Sequence, residues 1–211
     1  MRVNSGAGPD TGWSFTNDAR RVQIVAAAIE TVAELGYAKA SFAQIAKRAK
    51  ISSVRLISYH FADKADLFQA LVDTVQEQAR TAIQPQVRAH HEPAAMLAAY
   101  IEANLAFLAE HPVEVRALVD VLANARREDG GPLVGTAGFD TPVALLVQHL
   151  RDGQRSGAFR SFDAEAMATA IRASIDAAAN RLAAGDDFDP LAYGRELVTL
   201  FDLATRNGGT A

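Results

Sequence analysis

Cysteine is missing from all 211 residues. That excludes a disulfide framework and a thiolate metal site, and it suits a reducing cytoplasm. No apolar run approaches the roughly 18 to 20 residues that a membrane-spanning helix needs. The first residues, Met1 to Thr11, lack the apolar centre of a secretory signal and read instead as a Gly/Pro/Asn-rich flexible arm. A soluble, cytoplasmic protein is therefore expected. Strand-like alternation is almost absent, as are a nucleophile elbow, a Ser/His/Asp set and a paired-carboxylate arrangement. No Glu-x-x-His pair occurs, and the cluster His90-His91-Glu92 is followed by Pro93, which breaks the helical register two ligands would need. That cluster reads as a solvated linker. The glycines between Gly130 and Gly138 follow no strand and have no phosphate-loop spacing, so they read as a loop. No metal, no cofactor and no enzymatic activity are expected.

What is present is material for a core: 49% hydrophobic against 22% charged residues, a globular balance. The net charge of −4 is unevenly distributed. Residues 1–64 hold nine Lys/Arg against five Asp/Glu, a surplus of +4, while the remainder carries −8. A basic head on an acidic body attracts phosphate to one end and repels it from the other.

Helix signals run the length of the chain. Asn17 is placed to cap a first helix carrying Val22, Val25, Ile29, Val32 and Ala33 at helical spacing, with Gly36 as its stop. Ser41 and Gln44 have capping-box spacing at the start of a short second helix, whose Phe42, Ile45, Ala46 and Ala49 share a face. Ser52 or Ser53 caps a third helix ending near Phe61, and Asp63 caps a long fourth helix running towards Ile83. Pro93, Pro112 and Pro142 sit where helix starts are expected. Two further helices span about 164–184 and 190–206. The sum is an all-α chain of about nine helices. Its expected division is a flexible arm (1–15), a three-helix helix-turn-helix domain (16–62), a larger helical regulatory and dimerisation domain (63–207) and a short flexible tail (208–211).

The stretch SFAQIAKRAKISSVRLISYHF carries the functional signal. Two short helices joined by a tight polar turn are the layout that lays a second helix in the major groove. On a helical wheel Val54, Ile57 and Phe61 fall within about 60° of one another and are expected to face the core. Arg55, Leu56 and Tyr59 lie on the other side, with His60 flanking. Arginine can pair bidentately with guanine and an apolar side chain can meet a thymine methyl. Tyr59 and Lys64 can reach phosphates. Ser41, Lys50, Ser52 and Ser53, around the turn and the helix starts, complete the candidate DNA-contact set.

The run from Arg21 to Leu71 resembles the N-terminal domain of the tetracycline-repressor (TetR/AcrR) family of regulators. The matching residues are Ile24, Ala27–Ala28, Gly36–Tyr37, Ser41, Ile45–Ala46, Ala49, Ser52, and Phe61-Ala-Asp-Lys64-Ala-Asp-Leu67. Two departures stand out. The segment from Ala49 to Phe61 is one residue longer than the usual pattern, with Arg55 where a glycine is common, and Ser58 stands where a tyrosine is common, with Tyr59 one place on. Tyr59 is expected to take over that phosphate contact. The resemblance implies a homodimer formed by the two C-terminal helices, operator DNA as partner, and a small-molecule effector bound in the helical body.

The residues themselves point the same way. Leu97, Ile101, Leu105 and Leu108 cover neighbouring sides of one helix, with Tyr100 and Asn104 among them as polar anchors, a composition suited to a largely apolar ligand. His149, alone on an apolar helix, and Arg172 with Asp176 one turn on, are candidate polar ends of that pocket, although a core histidine and a plain ion pair are their ordinary readings. The last two helices are apolar over more than one stripe. Met167, Ile171, Ile175 and Leu182, with Leu197, Leu200, Phe201 and Ala204, are the candidate dimer contacts. The function expected is a sequence-specific repressor released from a palindromic operator by such a ligand. The alternative is a helical interaction or enzymatic domain with an incidental basic head.

Overall fold

The structure is a computed structural model describing residues 11–126, 130, 131, 133 and 137–208, with only the helical backbone described at 11–16 and 137–141. Among these residues the chain forms nine helices and one isolated antiparallel bridge between Phe159 and Arg206. The expected all-α class and helix number both hold.

Helix α1 (Thr11–Leu35) buries Ile24, Ala28, Ile29 and Val32 along one stripe. Gly36 ends it at φ +81°, a left-handed conformation that L side chains rarely adopt. Helices α2 (Phe42–Arg48) and α3 (Val54–His60) complete a three-helix head. Helix α4 (Lys64–Arg88), capped by Asp63, buries Leu67, Phe68, Leu71, Val72 and Val75 in its first half, where it meets the head. The body follows as α5 (Pro93–Glu110), α6 (Pro112–Asn124), α7 (Ala137–Arg155), α8 (Ala164–Ala184) and α9 (Pro190–Thr205). Helix α5 is apolar nearly all round because it is central, packing on α4, α7, α8 and α9. Helix α6 reaches back to α1, so head and body share one continuous core.

Four expectations need correction. Asn17 does not cap α1, which starts at Thr11 and runs through it. The arm of 1–15 is shortened accordingly: residues 11–15 are helical, and 1–10 lie outside the described residues. Helix α4 does not stop near Ile83 but continues to Arg88 with Pro85 inside it. An exposed proline near a helix end forfeits one backbone hydrogen bond, a tolerable loss in the last turns. Pro142 lies inside α7 rather than at its start. Pro93 and Pro112 do open α5 and α6. Most of the glycine-rich loop lies outside the described residues, as do residues 209–211 of the tail.

One packing detail carries a sharp test. Gly153 on α7 lies against the ring of Phe159, which is only 2% exposed and meets His149 edge-on at 6.1 Å. A Cβ at Gly153 would overlap that ring. Helix propensity alone favours alanine over glycine by about 1 kcal/mol, whereas overpacking a core costs about 1–3 kcal/mol. Gly153→Ala is therefore expected to lower the melting temperature by a few degrees. A rise in calorimetry would show that the ring moves aside freely.

Candidate nucleic-acid interface

The turn between α2 and α3 is built from local rules. Ser41 accepts the Gln44 N–H at 3.3 Å and starts α2; Ile45 and Ala46 then bury the inner face. Lys50 follows at φ +52°, the one positive-φ non-glycine position among the described residues. The reversal is held by Ile51 N–H on Ala46 O at 3.1 Å, and by the Gln23 side chain of α1 on Ala49 O at 2.7 Å. Ser53, rather than Ser52, caps α3 through the Arg55 N–H at 3.1 Å.

Ile57 is fully buried and Phe61 is 1% exposed, so each anchors the helix with roughly 1.5–3 kcal/mol of apolar burial. Val54, expected beside them, is instead 40% exposed in the first turn, because the chain enters α3 from the solvent side. The outward face consists of Val54, Arg55, Ser58 and Tyr59, the last 69% exposed. Leu56 and His60 flank it, each half-buried. Ser41, Lys50, Ser52 and Ser53 are all exposed around this face.

Two basic groups behave differently from expectation. The Lys64 ammonium turns inward, donating to Tyr37 O at 3.1 Å and lying 4.4 Å above the Tyr37 ring and 5.2 Å from that of Phe68. Burial pushes its pKa down. Arg21 of α1, missed from the sequence, donates to His60 O at 2.8 Å, the last carbonyl of α3, and stacks 4.2 Å over Phe61. It caps the recognition helix from behind, a role no local motif announces. Exposed Lys39 and Lys47 add positive charge, whereas Arg48 is bound to Glu30 and Glu34 of α1.

His60 supplies a pH handle. Desolvation first, then the charges of Arg21 and Arg20, lower its pKa from the ordinary value near 6.5. The fold therefore prefers the neutral ring, and stability is lost as pH falls below about 6.5. A nearby phosphate would act oppositely and raise the pKa, so a duplex bound against His60 takes up a proton. Affinity for DNA is expected to strengthen as pH falls towards and below about 6.5 at constant ionic strength, and His60→Gln to flatten that dependence. An anisotropy titration with identical pH slopes for both proteins would remove His60 from the interface.

Residues 24–71 match the profile described as bacterial regulatory proteins, tetR family. Residues 93–199, just over half of the chain, match that of the BetI-type transcriptional repressor, C-terminal. The chain belongs to the TetR family. That places it among regulators and not among enzymes. The HTH-type transcriptional regulator BetI of Cronobacter sakazakii is 32% identical over 111 residues, covering 52% of this chain and 54% of that protein. The chain thus spans about half the length of the curated relatives it matches, or less. The FadR regulator of Bacillus subtilis, solved with stearoyl-CoA, superposes with a TM-score of 0.71 at 21% identity, over 85% of this chain and 96% of the other. AibR, solved with isovaleryl coenzyme A and operator DNA, gives 0.70 at 15% identity over 86% and 97%. At those identities the two structures establish the fold.

In this TetR-family body the candidate pocket residues split into two groups. Leu97, Ile101, Leu105 and Leu108 are packed into the core, each 7% exposed or less. The polar candidates converge. Arg172 grips Asp176 through two nitrogens at 2.9 and 2.6 Å, and its third points at Asn104 Oδ1 (3.2 Å) and the Tyr100 hydroxyl (3.4 Å). Asn104 returns a bond to Tyr100 O at 2.7 Å. His149 stands apart, bonded to Pro93 O at 2.9 Å. Two clefts are described, of about 340 and 320 Å³, and none of these residues lines either.

The candidate dimer contacts need revision. Ile171 and Ile175 are fully buried, and Leu197 and Phe201 are 6% and 5% exposed, all within their own chain. Met167, Leu182 and Ala204 are half-buried, and only Leu200, at 55%, faces outward. The largest apolar residues of α8 and α9 face inward against α5, α6 and α7. What remains outside is an alanine face on α8 (Ala166, Ala170, Ala173, Ala177) and Leu191, Leu200 and Leu203 on α9.

Proposed function

We propose that this TetR-family protein is a cytoplasmic repressor. As a homodimer it reads a palindromic operator through α3, and a small, largely apolar effector releases it. The observation that carries this reading is the outward face of α3. Its Arg55 guanidinium has no protein partner among the described residues, its Tyr59 is exposed, and its inner face is locked by Ile57, Phe61 and Arg21. An arginine held on a rigid helix without a protein partner suits a bidentate contact to guanine. Ser41, Lys50, Ser52, Ser53, Leu56, Tyr59 and His60 surround it as further DNA contacts. Lys64 adds a phosphate contact only where it leaves or shares its bond to Tyr37.

The effector's polar end would meet Arg172, Asp176, Tyr100 and Asn104, while its apolar part parts α5 from its neighbours. Acyl thioesters of coenzyme A are the first class to test, since FadR and AibR were solved with such compounds. An effector binding the DNA-free form more tightly by about 1–3 kcal/mol would weaken operator binding roughly 5- to 150-fold.

The experiment is selection of a duplex from a random pool, then anisotropy titration across salt concentrations and with a series of acyl-CoAs. Steep salt dependence and recovery of a palindrome are expected, because phosphate contacts release counterions. A protein that selects nothing from the pool would sink the reading. An acyl-CoA that stabilises the protein thermally yet leaves operator affinity unchanged would remove that class as effectors.

A further inference from the structure

The head meets the body through one unusual contact. Gly36 turns the chain out of α1, and the next residue, Tyr37, donates its backbone N–H to Asp120 Oδ2 of α6 at 2.6 Å, across 83 residues of sequence. The other carboxylate oxygen is held by Asn124 Nδ2 at 2.6 Å, so the carboxylate is oriented before it meets the amide. The Tyr37 carbonyl accepts the Lys64 ammonium, and the Tyr37 ring packs at 5.1 Å on Phe68 and beneath that same ammonium. Lys64 is the first residue of α4, four positions after α3 ends. One residue of the turn thus carries the body's grip through its N–H and the grip of α4 through its C=O. Both hydrogen bonds involve an ionised partner and are about twice as strong as neutral ones.

One turn earlier on α6, Arg116 Nε donates to Ala183 O at 3.2 Å, at the C-terminal end of α8. Between these two ties lies the cleft of about 340 Å³, bounded by Val32, Gly36, Arg116, Asp120, Asn180 and Ala183. Helix α6 packs on α1, α4 and α8 through buried Val115, Ala117 and Val121, so a displacement of α8 is passed to it, and the cleft leaves room on one side for a small tilt. A tilt would withdraw Asp120 from the amide and let water in from the cleft.

We propose that Asp120 is a positioning residue for DNA binding: through the Tyr37 amide it sets the seat of Lys64 and the angle at which α4 follows the recognition helix. It contacts no DNA itself. The Arg116 tie to α8 places Asp120 on the route by which a change in the body reaches the head. This inference rests on the DNA-binding reading above.

The test compares Asp120→Ala, Asp120→Asn and Arg116→Ala in the full-length protein. Its readouts are affinity for the duplex recovered by the wild type and amide hydrogen exchange without DNA. Asp120→Ala is expected to raise Kd about tenfold and to lose protection at Tyr37 and over residues 37–41 and 64–68. Asp120→Asn keeps an acceptor for the amide and is expected to stay within about threefold of wild type with Tyr37 still protected. Arg116→Ala is expected to raise Kd about threefold alone and to add nothing once Asp120 is alanine, the signature of one shared route.

Should Asp120→Ala fail to fold, Asp120→Ser takes its place, its hydroxyl being too short to reach the amide. Unchanged Kd with lowered stability would make Asp120 a plain brace and overturn the proposal. Independent, multiplying effects of the two alanine variants would overturn it as well. Failure of the wild type to recover any duplex sinks the DNA-binding reading instead, while the exchange pattern still reports whether Asp120 holds Tyr37.

Discussion

Replacing Leu200 and Leu203 together with aspartate will leave a monomer whose grip on operator DNA is at least about a hundredfold weaker. The two leucines lie one turn apart on α9 and are each 55% exposed, with Leu191 of the same helix 46% exposed. Fully burying a leucine is worth about 1.5–3 kcal/mol. In the homodimer proposed above, a two-fold interface would count each residue twice, so the pair would supply a substantial share of the association energy. Aspartates there would face their own symmetry mates in a desolvated seam. The loss on DNA is large because two linked half-site contacts gain roughly 10²–10⁴ in avidity, which a monomer forfeits. Sedimentation together with anisotropy decides the matter. A variant that sediments like the wild type sinks this placement of the interface, and a monomeric wild type at micromolar concentration sinks the dimer itself.

Arg55→Ala is expected to cost about 1–3 kcal/mol of operator affinity and to relax preference at one base pair in each half-site. The magnitude follows from the structure of the free protein. Among the described residues the guanidinium has no protein partner to give up, so on the proposed reading its removal would subtract contact with DNA and little stability. Lys64→Ala should differ in kind. Its ammonium holds the Tyr37 carbonyl and two aromatic faces, so the change should lower the melting temperature and weaken all duplexes alike. Repeating the duplex selection with each variant separates the two outcomes. An Arg55→Ala protein that recovers the wild-type consensus with wild-type affinity would show that α3 is not the reading element.

Much of the head was legible in the residue order, because it is assembled from interactions between near neighbours. Ser41 and Asp63 were recognisable as caps, and Ser53 as one of two adjacent serines for the cap of α3, since a cap acts on amides two or three residues away. Ile45, Ala46, Ile57 and Phe61 were recognisable as the inner face through helical spacing. Where spacing failed, a neighbour outside the helix was responsible. Val54 sits at the correct angle for the core, but no helix covers the first turn of α3.

Periodicity also told that α8 and α9 are apolar on more than one side, and it could not rank those sides. Ile171, Ile175, Leu197 and Phe201 went inward because α5, α6 and α7 were there to meet them, leaving Leu200, Leu203 and the alanine face outside. The Lys64 ammonium chose the Tyr37 carbonyl over solvent for the same kind of reason. So did the Arg21 guanidinium on His60 O and the Asp120 carboxylate on the Tyr37 amide. In each of these three contacts a side chain meets a backbone group 27 to 83 residues away. Every residue presents the same N–H and C=O, so nothing in the partner's identity marks it in advance. Element type, caps and the basic head were determined by the sequence alone, through short-range physics; which apolar face is covered, and which carbonyl or amide a distant charge finds, was decided only when the helices packed.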